Sequence, residues 1–224
     1  MRILLFGATG MIGSGVLLEC LDHPDVTEVI SMSRRTCGVV HDKLTERITQ
    51  DYLDYSAVQD AFAGIDACFF CLGVSAVGMS EDAYRTVTFD IPTAAAGTLW
   101  SESPDATFIY ISGSGADSTG RGRVMWARVK GQIENHLIAR APDRAFMFRP
   151  GYIQPMRGVK SRTRWYQAMY SVTGFAYPLL RHLDRWVTST VAVGQAMIRV
   201  AREGSEAHPD PIIETKDINR IASG

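Results

Sequence analysis

What this chain lacks narrows its function before any motif is considered. It has no excess of one charge: 23 lysines and arginines stand against 24 aspartates and glutamates, a net charge of −1. Without a basic field nothing drives counterion release from a phosphate backbone, so no nucleic-acid partner is expected. No run of about 20 apolar residues occurs, so no membrane-spanning helix and no integral membrane association are expected. The opening MRILLFGATG is not read as a signal peptide, because glycine breaks the apolar run after Phe6 and no small-residue cleavage site follows. Four cysteines in 224 residues are too few for a disulfide framework. Their use fits a reducing compartment, and the cytoplasm is the expected one. Cys68-Phe69-Phe70-Cys71 has the spacing of a redox or metal motif. It lies in a continuous apolar run, though, where residues three apart on a strand point to opposite faces, so two buried thiols are expected. The five histidines show no paired ligand spacing, so no metal is expected.

What is present is an alternation of short apolar runs with helical periodicity. Arg2–Phe6 is an apolar run ended by glycine and reads as a buried parallel strand. Residues 11–21 carry apolar side chains at helical spacing and stop at Asp22-His23-Pro24. Further strands are expected at 26–32, 44–49, 67–72, 107–111 and 145–148. Helices are expected at 57–62 behind Ser56, at 80–100 with Pro92 as a kink, and at 124–140. Strands alternating with helices imply right-handed crossovers and a parallel sheet covered on both faces. The fold class read from this is α/β, a Rossmann-type doubly wound sheet. Residues 151–224 are expected to form a small, mostly helical cover over a 1–150 core, all within one domain. In that cover, helices are expected at 165–183 and 187–203 and a short strand at 211–214.

The strongest local signal is Gly7-Ala8-Thr9-Gly10-Met11-Ile12-Gly13, which follows a strand and opens a helix. That context is what a dinucleotide fingerprint requires. Gly7 permits the tight turn, Gly10 lets the backbone approach a pyrophosphate, and Gly13 lets helix and strand pack closely. The N–H groups at the helix start, around Thr9, Met11 and Ile12, then face the anion. No lysine stands at the spacing of a phosphate-loop NTPase, and no Gly-x-Ser-x-Gly elbow is present. The end of the second strand reads Ser31-Met32-Ser33-Arg34-Arg35. An acidic residue there would suit the free ribose hydroxyl of NAD. A hydroxyl at Ser33 and two guanidinium groups at Arg34 and Arg35 suit a 2′-phosphate instead, so NADP (NADPH) is the expected cofactor and NAD the less favoured one. Asp51, just past the third strand, is placed to meet the adenine.

Taken in order, Gly7-Ala8-Thr9-Gly10, Ser33-Arg34-Arg35, Cys71-Leu72-Gly73, Ser112-Gly113-Ser114-Gly115-Ala116-Asp117, Lys130-Gly131, Phe148-Arg149-Pro150-Gly151 and Ile213-Glu214 resemble an atypical short-chain dehydrogenase/reductase. Within that class the chain is most similar to the NADPH-binding oxidoreductases related to the HIV Tat-interacting protein 2. The resemblance runs through nearly the whole chain. It implies a Rossmann-type fold, NADPH binding, and a cofactor site that includes Leu72, Gly73, Lys130, Pro150 and Gly151. In the wider family a serine follows the fifth strand, and a Tyr-x-x-x-Lys on the next helix supplies a phenol as proton donor beside a ribose-binding lysine. Here the matching stretch is Trp126-Ala127-Arg128-Val129-Lys130: the lysine is kept and the phenol is replaced by an indole, which does not titrate in this range. The serine position aligns with Gly113, leaving Ser112 and Ser114 as neighbours. The catalytic candidates are therefore Lys130, Ser112, Ser114 and Trp126. Tyr152, Tyr110 and Tyr84 are other phenols without a motif behind them, and each is read first as structural.

Two functions remain open at this point. One is an NADP-dependent oxidoreductase acting on a small carbonyl compound through a rearranged proton relay. The other is a catalytically silent NADPH-sensing protein that works through a protein partner. Arg157, Lys160, Arg162 and Arg164 could attract an anionic substrate, although a solvated face is the plainer reading. The substrate's identity and any homo-oligomer are not legible in the sequence.

Overall fold

The computed structural model describes residues 1–159 and 183–224. Its centre is a parallel sheet of seven strands in the order β3-β2-β1-β4-β5-β6-β9. The strands are β1 (Arg2–Phe6), β2 (Glu28–Ser33), β3 (Leu44–Ile48), β4 (Ala67–Phe70), β5 (Thr107–Ile111), β6 (Ala145–Arg149) and β9 (Ile212–Glu214). Strand order 3-2-1-4-5-6 is that of the Rossmann-type doubly wound fold. A second pair, β7 (Tyr152–Gln154) and β8 (Val187–Ser189), is also parallel.

The apolar strands explain the layering. Successive side chains on a strand alternate between faces, so Ile3 and Leu5 bury against α1 (Met11–Asp22), α5 (Thr190–Glu203) and α6 (Thr215–Ser223), through Val16, Leu17, Val193, Met197 and Ile218. Leu4 and Phe6 face the other way, onto α3 (Ile91–Glu102) and α4 (Met125–Arg140), through Leu99, Ile133 and Leu137. Both faces are covered, as the sequence pattern required. Cys68 lies in the second layer and Cys71 packs against the first, and both thiols are free.

Several expectations are corrected in detail. The stretch 57–62 is a 3₁₀ turn over Ser56–Phe62 with no side-chain cap, not an α-helix opened by Ser56. The expected helix 80–100 is three pieces: α2 (Glu81–Arg85), capped by the Ser80 hydroxyl accepting from the Ala83 N–H, a π turn at Thr86–Asp90, and α3. The kink thus precedes Pro92, which sits in the first turn of α3 where its missing N–H is tolerated. Residues 187–189 are strand β8 rather than the start of the following helix, and Ser189 caps α5 by accepting from the Ala192 N–H. The pair β7–β8 and helix α6 were not anticipated. β9 is bonded to β6 and so enlarges the central sheet. The expected helix 165–183, apart from its last residue, and the cations Lys160, Arg162 and Arg164 lie outside the described residues.

Candidate functional site

The turn after β1 is held by close backbone approach. Gly7 has φ +83°, and a Cβ there would stand 2.7 Å from the carbonyl carbon and oxygen of Cys71. A Cβ on Gly13 would overlap the Gly7 carbonyl. Gly10 differs: its φ is −91°, its N–H donates to the Gly7 carbonyl at 2.8 Å, and a Cβ would come only to 3.3 Å of that oxygen. Gly7 and Gly13 are therefore demanded by packing, whereas Gly10 borders open space. Helix α1 follows Gly10 at its N-cap, with no side-chain cap and no acidic residue in its first turn. Its free N–H groups carry the positive end of the helix dipole without an internal partner, the chemistry that receives a phosphate.

Gly10, at the start of this helix, shares one cleft of about 630 Å³ with Ser33, Arg34, Arg35, Leu72 and Gly73. Gly7 and Thr9 line it as well. It lies at the carboxyl ends of β1, β2 and β4, where the crossover direction reverses and doubly wound sheets bind ligands. Arg34 and Arg35 are exposed, and the loop that presents them is fixed through its backbone: the Ser33 hydroxyl donates to the Arg35 carbonyl at 2.6 Å, and the Gln50 amide donates to the Arg34 carbonyl at 3.0 Å. The guanidinium groups are left facing solvent and cleft. A nicotinamide dinucleotide fits this set by the open space at Gly10 and the uncapped helix start.

Some expected contacts do not line the cleft. Asp51 does not: its carboxylate accepts from the N–H groups of Leu53 and Asp54, closing its own turn. Its neighbours Gln50 and Tyr52 line the cleft instead. Burial pushes the Tyr52 phenol up, with Arg34 working against it. Met11 and Ile12 are not among the residues that line the cleft, which the start of α1 meets through Gly10. Pro150 and Gly151 are used to tie elements together: the Ser114 N–H donates to the Pro150 carbonyl at 3.0 Å, and the Gly151 N–H donates to the Thr215 hydroxyl at 2.9 Å. Cys71, Val74, Val87 and Ile91 also line the cleft, although no sequence motif marked them as cofactor contacts. Val87 and Ile91 are four apart across the π turn, an apolar spacing that could have marked a helix face turned to a ligand.

The catalytic candidates form a second group at the carboxyl end of β5. Helix α4 crosses there so closely that a Cβ on Gly131 would overlap the Asp117 carbonyl, which sets the position of Lys130 beside it. The Lys130 ammonium donates to the Ile111 carbonyl at 3.0 Å, the Tyr110 hydroxyl at 3.2 Å and the Ser112 carbonyl at 3.4 Å, and lies 4.7 Å from the Tyr110 ring centre. Burial pushes its pKa down to about 8, with Glu134 pulling it back up. The Ser112 hydroxyl is buried and has no hydrogen-bond partner among the described residues. Ser114 is half-buried, and the Trp126 ring lies about 3.5 Å from where a Gly115 Cβ would be. Nothing lies within 4 Å of a Cβ on Gly113. Tyr110, read from the sequence as core, is core, yet its hydroxyl also reaches Lys130. Behind this group Arg149 and Glu134 form a buried ion pair, and Arg149 also donates to the Ser118 hydroxyl at 2.6 Å.

Known proteins place this architecture. Residues 3–124 match the family described as NAD dependent epimerase/dehydratase. The protein fmp52-1, mitochondrial, of Aspergillus terreus is 29% identical over 216 residues, covering 91% of this chain and 88% of its own. The rat protein HTATIP2 is 22% identical over 216 residues, covering 92% and 88%. A short chain dehydrogenase family protein from Francisella tularensis superposes with a TM-score of 0.65 at 14% identity over 94% of each chain. An ElxO variant with NADPH bound superposes with a TM-score of 0.68 at 14% identity, again over 94% of each. The expectation of a cytoplasmic protein is corrected by the fungal relatives, which are named mitochondrial. Cysteine usage reports on redox environment and does not single out one reducing compartment. Among the described residues no helix is long and apolar enough to cross a membrane.

Proposed function

Because this chain belongs to the NAD dependent epimerase/dehydratase family, whose members bind nicotinamide dinucleotides, we propose that it is an NADP(H)-dependent oxidoreductase of the atypical short-chain class acting on a small carbonyl compound. One observation carries the cofactor choice: Arg34 and Arg35 line the same cleft as the uncapped start of α1. A pyrophosphate on the helix N–H groups would leave the adenosine ribose at the end of β2, where two guanidinium groups answer a 2′-phosphate. The bound nicotinamide would supply the hydride. Lys130 would orient the nicotinamide ribose from the end of β5, and the Ser112 hydroxyl, buried and unpartnered among the described residues, would meet the substrate oxygen.

A second reading is a silent NADPH sensor. It is favoured by Trp126, which stands where the resemblance places a phenol, and by the three acceptors that already engage the Lys130 ammonium. The experiment that separates the two is calorimetry with NADPH followed by NADPH oxidation against a panel of small aldehydes, diketones and quinones. Binding with turnover supports the oxidoreductase; binding without turnover on the panel supports the sensor. Failure to bind NADPH removes both.

A further inference from the structure

The helix running from Ser80 to Glu102 contains a feature that the cofactor cleft does not use. In an α-helix the N–H of residue i serves the carbonyl of residue i−4. Residue 92 is proline, so the Thr88 carbonyl has no such donor. The π turn around it closes instead with the Ile91 N–H donating to the Thr86 carbonyl. Thr88 is buried, and an unanswered carbonyl in that position would be costly. The Tyr110 hydroxyl answers it, donating to the Thr88 carbonyl at 3.3 Å from the neighbouring strand β5. A phenol has one proton. With that proton spent on Thr88, the oxygen can only accept on its other side, and there the Lys130 ammonium donates to it at 3.2 Å.

We propose that Tyr110 is a positioning residue for Lys130: its phenol, polarised by the carbonyl that Pro92 deprives of its i+4 donor, fixes the ammonium at the carboxyl end of β5 and favours its charged form. The direction of the chain decides this. A hydroxyl free to rotate could donate to a neutral amine; one committed to Thr88 accepts only, and so stabilises the ammonium. Burial works the other way and pushes Lys130 down to about 8. Among the described residues, the charged and titratable groups around it are Glu134 on its own helix, Tyr110 on β5 with Tyr84 of α2 behind it, and Arg149 of β6, which is paired to Glu134. The Tyr110 phenol itself is raised well above its usual value by burial, so it takes part as an acceptor and not as an acid. The use of this ammonium by a cofactor rests on the function proposed above; the positioning of the ammonium does not.

The test is a pH titration of Lys130 in the cofactor-free protein by Nζ-detected NMR of ¹⁵N-lysine-labelled chain, with Lys130→Met assigning the signal. Tyr110→Phe removes one acceptor from the ammonium and leaves the apolar wall, so the pKa is expected to fall by about one unit, a tenfold change in its protonation constant. Phe108→Leu, which loses packing on the same strand face but no acceptor, is expected to leave it in place. Should Tyr110→Phe not fold, 3-fluorotyrosine at position 110 keeps the ring and weakens the oxygen as an acceptor; the pKa is again expected to fall. An unmoved or raised pKa with either replacement, or an equal fall in Phe108→Leu, overturns the proposal. NADPH calorimetry on the same samples reads the functional proposal separately. Where NADPH binds the wild type, the pH midpoint of its affinity should move down together with the Lys130 pKa. Where NADPH does not bind at all, the cofactor reading fails while the titration still decides the role of Tyr110.

Discussion

Arg149 and Glu134 form a buried ion pair that joins β6 to α4: the Arg149 Nε lies 3.0 Å from one carboxylate oxygen, a terminal nitrogen bonds the other, and the Glu134 side chain is 0% exposed. The Arg149 guanidinium is raised further by that hydrogen-bonded carboxylate. The same arginine reaches Ser118 and, at 3.5 Å, the more exposed Glu214. It therefore anchors the loop after β5, the helix bearing Lys130 and the start of Pro150-Gly151 at one point.

Removing one partner of a buried pair leaves an uncompensated charge. Glu134→Gln is expected to destabilise the fold by about 3–5 kcal/mol, read as a lower urea midpoint. Glu214→Gln, at the exposed end of the cluster, should cost less than about 1 kcal/mol. Equal effects would mean that Arg149 is not held mainly by Glu134.

The two glycines of the turn separate packing from binding. Gly13→Ala should unfold or strongly destabilise the protein, since its methyl group would enter the Gly7 carbonyl. Gly10→Ala asks only a few tenths of an ångström of that oxygen, so the fold should survive by circular dichroism while NADPH affinity drops. Unchanged affinity in a folded Gly10→Ala would remove the pyrophosphate from this turn.

Arg34 and Arg35 are exposed, and no ion pair is formed by them among the described residues, so replacing both with alanine should leave stability nearly untouched. NADPH should lose roughly tenfold or more in affinity, while NADH changes little, because a charge-assisted contact of about 1.5–3 kcal/mol exists only with the 2′-phosphate. Parallel losses for both nucleotides in calorimetry would contradict the proposed selectivity.

Lys130 also makes stability depend on alkaline pH. Its folded pKa, about 8, lies below the ordinary lysine value of 10.5. Between those two values the unfolded chain binds more protons than the folded one, so stability rises as pH increases through this window, by on the order of 1–3 kcal/mol. Below about pH 8 both states are protonated and this contribution is flat. Urea denaturation at pH 7.5 and pH 10 should show the gain in wild type and a smaller gain in Lys130→Met; the same gain in both would assign it to other groups.

Trp126→Tyr would place a titratable hydroxyl one helical turn from Lys130, and Gly113 has room for a serine. A positioned general acid contributes roughly 10²–10⁴-fold, so the single variant should gain NADPH-dependent reduction of small quinones or diketones, and the double variant with Gly113→Ser should gain more. A wild type that turns over quickly and is slowed by Trp126→Tyr would put the proton relay elsewhere and end the silent-sensor reading.

Local order was sufficient for much of the architecture. The runs Arg2–Phe6 and Thr107–Ile111 are strands over those residues, because an apolar stretch this short, ended by glycine or a turn, fits a strand covered on both faces and is too short for a buried helix. Gly7, Gly10 and Gly13 announced a tight strand-to-helix turn: Gly7 has a left-handed φ, and at Gly7 and Gly13 the backbone of another residue stands where a Cβ would be. Three matters lay beyond the sequence. The π turn before Pro92 depended on a buried tyrosine from another element being there to answer the freed carbonyl. Asp51 looked like a ligand residue, but whether a carboxylate turns outward or closes its own loop is decided by the N–H groups nearest to it, here those of Leu53 and Asp54. Lys130 could be placed on a helix face by spacing, yet its three acceptors come from the end of β5 and from Ser112 just after it, 18 to 20 residues away along the chain. Spacing reports which side chains share a face of one element. Which groups meet between elements is settled only when the sheet and its helices are packed together.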